Sequence, residues 1–190
     1  MRRQILFIQG GGSGAHKADE RLVASLRNTL GASYQVRYPT MPWENDPDYL
    51  HWKTPIGNEL AASQGQVLLV GHSLGASFLL KYLSEEKIRV RPAGLFLIAT
   101  PFWGGDGWRY EGYEAVVLPE DLASKLPKGA PIFFYHSRDD EVVPFAHLAL
   151  YAKRLPHAVT RAFHGRGHQL GNDLSELAAD IKSLESFEIH

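Results

Sequence analysis

The chain has 190 residues, 44% of them hydrophobic and 22% charged, with a formal net charge of -1. That length suits a single domain, residues 1–190, with a sizeable core, and the balanced charge offers no basic excess for nucleic acid and no charge run for a membrane surface. The absence of cysteine excludes disulfides, thiolate metal sites and a cysteine nucleophile, and fits a reducing compartment.

The N-terminus has Arg2 and Arg3 but only a brief apolar run, Ile5-Leu6-Phe7-Ile8, too short for a signal-peptide core. No apolar stretch is long enough to span a bilayer. A soluble cytoplasmic protein is expected. Ile5–Ile8 reads as a buried strand, followed by the turn Gly10-Gly11-Gly12-Ser13-Gly14 and a helix over about Lys17–Leu30, apolar at Leu22, Val23, Leu26 and Leu30, with Gly31 at its end. Strand, glycine turn and helix invite a dinucleotide site. Against it, Ala15 takes the third glycine position, and the next strand, Tyr34–Tyr38, runs into Pro39-Thr40-Met41-Pro42 with no acidic ribose partner. No Gly-Lys-Ser/Thr follows the turn, so it is not a P-loop.

Residues Pro39–Pro55 form an aromatic, proline-containing excursion with Trp43, Tyr49, His51 and Trp52, and a helix is expected from Pro55 to Ser63. The segment Gln66–Leu80, QVLLVGHSLGASFLL, then reads as strand, sharp turn and helix with Ser73 at the tip. A G-x-S-x-G turn in that setting is a nucleophile elbow. Side chains at Gly71 and Gly75 would collide with neighbouring chain, and the turn lifts the Ser73 hydroxyl clear of the sheet at a helix N-terminus. A serine that merely caps the helix is the plainer alternative.

After a charged connection, Glu85–Pro92, comes the strand Gly94–Ala99, then a loop from Pro101 to Tyr113 rich in glycine and aromatics. Those rings either wall a substrate pocket or cover exposed core. A short helix at Pro119–Leu126, a strand at Ile132–His136, a helix at Phe145–Leu155, a strand at Ala158–Phe163 and a helix from Leu174 to about Phe187 complete the chain. Alternating strands and helices predict an α/β fold with a mostly parallel, doubly wound sheet and helices on both faces. Ligands bind such sheets at the carboxyl ends of the strands, where Ser73, Asp140 and His168 all fall.

A serine hydroxyl needs a base within hydrogen-bond reach, and the base needs an acceptor that fixes its tautomer. The order Ser73, Asp140, His168 is the one expected of the α/β-hydrolase fold. Over nearly its whole length the chain resembles that superfamily, on Gly71-His72-Ser73-Leu74-Gly75, Asp140-Glu141-Val142-Val143-Pro144 and Gly167-His168. Its compact length is similar to the small serine hydrolases related to retinoblastoma-binding protein nine. The resemblance implies a catalytic triad of Ser73, His168 and Asp140, with Asp139 a turn residue or solvated charge. One oxyanion donor is the N–H of Leu74. Small residues after the first strand let backbone N–H groups turn inward, so the second is assigned to Gly11, with Gly12 the alternative, although Gln9–Gly14 departs from the common His-Gly form.

His164 and His168 are four apart, but Gly165 and Gly167 disfavour a helix and no third ligand is evident, so no metal is assigned. His164 is read as packing or supporting the base. His72, like His16, His51, His136, His147, His157 and His190, is read as structural or surface. The expected activity is a serine hydrolase, carboxylesterase-like, acting through an acyl-enzyme on a small molecule, with no cofactor. The competing reading is a non-catalytic binding protein that keeps the fold. Trp43, Trp52, Trp103 and Trp108 suggest an apolar pocket.

Overall fold

The computed structural model describes residues 2–104 and 108–184. One sheet contains β1 (Arg3–Ile8), β2 (Tyr34–Arg37), β3 (Gln66–His72), β4 (Arg91–Ile98), β5 (Ile132–Ser137) and β6 (Val159–Phe163). The order is β2-β1-β3-β4-β5-β6 and every neighbouring pair is parallel. Parallel neighbours require crossover connections. These carry α1 (Ala15–Leu30), α2 (Tyr49–Ala61), α3 (Ser73–Glu85), α4 (Leu122–Lys125) and α5 (Ala146–Arg154), and α6 (Ser175–Ser183) follows the last strand.

Central strands are apolar at nearly every position because both faces are covered. Their side chains alternate between two cores. Leu6, Ile8, Leu69 and Leu97 pack with Trp52 and Ile56 of α2 and Phe78 and Leu79 of α3. Ile5, Phe7, Leu68, Val70, Phe96 and Ile98 pack with Leu22 and Leu26 of α1 and Leu177 and Ile181 of α6. Each such buried side chain contributes about 1.5–3 kcal/mol.

Two boundaries stand out against expectation. Pro55 does not start α2 but lies inside it, because Asp48 caps the helix well upstream, its carboxylate accepting from Leu50 N at 2.7 Å. Strand β4 begins at Arg91, within the segment expected to connect, and accommodates Pro92 beside a register shift between Val67 and Leu68. The expected helix end near Phe187, residues Gly105, Asp106 and Gly107 of the aromatic loop, and His190 lie outside the described residues.

The chain runs outward from β1 to β2, then β3 returns to the other side of β1. Strand order therefore reverses between β1 and β3. The carboxyl ends of these two strands frame a crevice, into which the Gly10–Gly14 turn and the Ser73 turn both lead.

Candidate active site

Ser73 is the first residue of α3 and has a φ of 50°, in the left-handed region that a side-chain-bearing residue adopts only under constraint. The constraint is steric. A Cβ on Gly71 would stand 2.6 Å from Ala76 Cα, and one on Gly75 would run into the carbonyl oxygen of Gln9. Both glycines are thus required by the close passage of α3 over β1 and β3. The turn leaves Ser73 9% exposed, lining a cavity with Gly10, Gly11, Gly12 and His168.

Three consecutive acids after β5 hold the loop that carries His168. Asp140 accepts from His168 Nδ1 at 2.9 Å, and also from Val142 N and Val143 N, both at 2.8 Å. His136 Nε2 lies 3.1 Å from the same carboxylate. Asp139 instead accepts from Ser137 Oγ at 2.5 Å and from the backbone N–H groups of Gly165, Arg166 and Gly167. Glu141 accepts from His168 N at 3.1 Å. Asp139 is therefore more than a turn residue. It folds the loop in which Gly165 and Gly167 take positive φ.

Burial of Asp140 opposes its ionisation, but the hydrogen bonds from His136 and His168, with the nearby His168 ring, hold its carboxyl far below the usual range. An ionised carboxylate only accepts, so His168 carries a proton on Nδ1, and in the neutral imidazole this leaves the lone pair on Nε2. His168 is 8% exposed. His164 is exposed rather than packed. Among the described residues no three His, Cys, Asp or Glu side chains converge as a metal set.

The glycine turn is built by Glu44, from the excursion before α2. Its carbonyl accepts from Gly12 N at 2.7 Å, and its carboxylate accepts from Gly14 N at 3.2 Å and His16 N at 2.9 Å. The N-terminus of α1, where a dinucleotide phosphate would sit, is occupied by this carboxylate. Gly11 faces Leu74 and Pro47 closely enough that a Cβ on it would stand 2.5 Å from Leu74 Cδ2. Leu74 N is among the first N–H groups of α3, which meet no intrahelical carbonyl.

Asp19 belongs to no motif in the sequence. It is fully buried and accepts from Gly10 N at 2.8 Å, His72 Nδ1 at 2.9 Å and Gln169 Nε2 at 3.1 Å. His72 Nε2 lies 3.2 Å from the carbonyl oxygen of His168. A signal for Asp19 is nonetheless present: it lies on the buried stripe of α1 with Leu22, Val23, Leu26 and Leu30.

On the other side of Ser73 lies a cavity of about 300 Å³ lined by Pro47, Leu74, Trp103, Trp108, Tyr113 and Val143, among others. Trp103 stacks on Tyr113 with ring centroids 4.4 Å apart. Trp108 meets His147 edge-on, and His147 Nδ1 accepts from Phe102 N. Only two of the four tryptophans line this space. Trp52 is core, its indole N–H donated to Pro42 O at 2.7 Å, and Trp43 is 70% exposed.

A serine hydrolase family model matches residues 16–173. No curated protein matches the chain significantly. Solved structures similar to it include the ydeN gene product from B. subtilis, at 19% identity and a TM-score of 0.72 over 97% of this chain and 99% of that one. Est1E from Butyrivibrio proteoclasticus is similar at 16% identity and 0.69, over 99% and 87%. A variant of SOBER1 from Arabidopsis thaliana is similar at 18% and 0.68, over 97% and 99%. The architecture is the α/β-hydrolase fold. No helix among the described residues is long and apolar enough to cross a membrane.

Proposed function

The chain belongs to the serine hydrolase family, and we propose that it cleaves an ester-like bond in a small molecule through a Ser73-His168-Asp140 triad. The observation that carries this reading is the Asp140–His168 hydrogen bond at the edge of the cavity that also holds the elbow serine. With Nδ1 protonated and tied to Asp140, His168 Nε2 is the group that accepts the Ser73 proton as the serine oxygen attacks the carbonyl. The N–H groups of Leu74 and Gly11 receive the oxyanion, each such donor lowering the barrier by about 3 kcal/mol. The protonated His168 then gives its proton to the leaving group, and a water activated by the same nitrogen releases the acyl group. These steps require no cofactor. The apolar cavity beside Ser73 supports an acyl group with apolar or aromatic character, within a carboxylesterase-like range of substrates. The cysteine-free sequence supports a cytoplasmic setting.

A fluorophosphonate probe tests the reading. It phosphonylates a serine only where that serine is activated. The wild type is expected to label and Ser73→Ala to remain blank with its fold intact. A folded wild type that stays unlabelled by a probe small enough for the cavity favours the non-catalytic binding protein.

A further inference from the structure

His72 stands between two groups that only accept. Its Nδ1 faces the Asp19 carboxylate at 2.9 Å and its Nε2 faces the His168 carbonyl oxygen at 3.2 Å. A neutral imidazole carries one proton and would leave one of these contacts without a donor. Asp19 meanwhile receives N–H groups from Gly10 and Gln169 as well, which is the setting of an ionised carboxylate. Both side chains are removed from water. We infer that His72 and Asp19 form a permanently charged, buried imidazolium–carboxylate pair that positions the base and the oxyanion loop together.

Burial alone disfavours the charged form of each partner. The adjacent opposite charge and the shared hydrogen bond nonetheless raise the imidazole and lower the carboxyl from their ordinary values. Other titratable groups near the pair are Asp140 beyond His168, whose negative charge also favours the imidazolium, and Tyr38 at the end of β2. Burial and the charges of Asp19, Glu20 and Glu44 push that phenol up, so it stays neutral. The His168 ring lies 4.8 Å away, centroid to centroid. His168 is thus anchored three times, its ring by Asp140, its backbone N–H by Glu141 and its carbonyl by His72. Through Gly10, Asp19 also sets the residue that precedes Gly11. Removing one partner of such a pair leaves an uncompensated buried group, and the displacement would be felt at both ends of the reaction. His72 and Asp19 are positioning residues that act through His168 and Gly10.

The positional part of this inference rests on the hydrolase reading, whereas the charge state does not. Nitrogen-edited NMR of His72 in the folded Ser73→Ala protein measures the charge state directly. Both ring N–H protons are expected to persist from about pH 5.5 to about pH 8.5, across which an unperturbed imidazole loses its charge. A His72 that carries one ring proton, or titrates within that window, overturns the pair. Positioning is read from the rate of fluorophosphonate labelling. Asp19→Asn is expected to slow it on the order of 10- to 100-fold, with substrate KM changed far less than kcat. In the double variant Asp19→Asn with His72→Gln, the two new amides can pair with each other and one can donate to the His168 carbonyl, and several-fold of that loss is expected to be recovered. An Asp19→Asn protein that labels as fast as wild type overturns the positioning role. Should that variant not fold, the NMR result on the intact pair decides. A wild type that never labels sinks the hydrolase reading instead, and the two ring protons of His72 then decide the charged pair by themselves.

Discussion

The two sides of Ser73 are built on different principles. Toward Gly10 and His168 the walls are held by charged and polar groups, with Asp19, His72, Asp139, Asp140 and Glu141 all engaged in specific hydrogen bonds. Toward Trp103, Trp108 and Tyr113 the walls are ring faces in mutual contact, and their side chains are arranged by packing. Hydrogen-bonded geometry is directional and fixes a reacting atom to fractions of an ångström. Ring packing is tolerant and chiefly sets shape and volume. In the proposed function, the contrast separates what would activate the serine from what would select the acyl group.

The comparison breaks most completely at Ser73→Ala, which should abolish turnover and probe labelling, a loss on the order of 10⁵- to 10⁶-fold. Asp140→Asn keeps the shape of the polar wall but presents a donor where His168 Nδ1–H needs an acceptor. It should lower kcat on the order of 10⁴-fold in an ester assay with little change in KM. Gly75→Ala tests the frame beneath both walls. Its methyl would meet Gln9 O, and a loss on the order of 3 kcal/mol of stability is expected in denaturant unfolding. Trp108→Ala should act on the aromatic side alone. It should shift kcat/KM between short and bulky acyl esters by about 10-fold while a compact phosphonate labels within about threefold of wild type.

The smallest effect is on stability against pH. His72 is raised in the folded state, so its contribution is complete below the unfolded imidazole value and fades as pH climbs through the folded one. Asp19 is lowered, so its contribution is present above the ordinary carboxyl value and fades only as pH falls through the folded one. Chemical denaturation should therefore show a plateau between the ordinary carboxyl and imidazole values, and a decline from about neutrality upward that Asp19→Asn lacks.

Much of the polar wall is legible in the sequence because its rules are local. Gly71 and Gly75 announce a close approach, and Asp140 is distinguished from Asp139 by its spacing to Val143-Pro144. Asp19 looks like an ordinary helical charge until its place on the apolar stripe of an amphipathic helix is noticed, where a carboxylate has to find a partner. Glu44 cannot be read in this way, because its hydrogen bonds to the glycine turn span some 30 positions and depend on how the excursion before α2 folds back. The aromatic wall is ambiguous for a related reason. Nothing in composition distinguishes Trp52, which fills the core, from Trp108, which lines the cavity. Pro55 misleads through a strong local preference for a helix start that Asp48 overrides.

The bond from Gln169 to Asp19 joins residues 150 positions apart, and this bears on how the protein is made. A ribosome releases the serine elbow well before β6 and the loop behind it. During that interval the nascent chain carries Ser73 without the His168 proposed as its base, and Asp19 and His72 without the Gln169 amide and the His168 carbonyl that they close upon. Under the proposed triad, hydrolytic power would therefore arrive late in synthesis, only once the loop that carries His168 has been made.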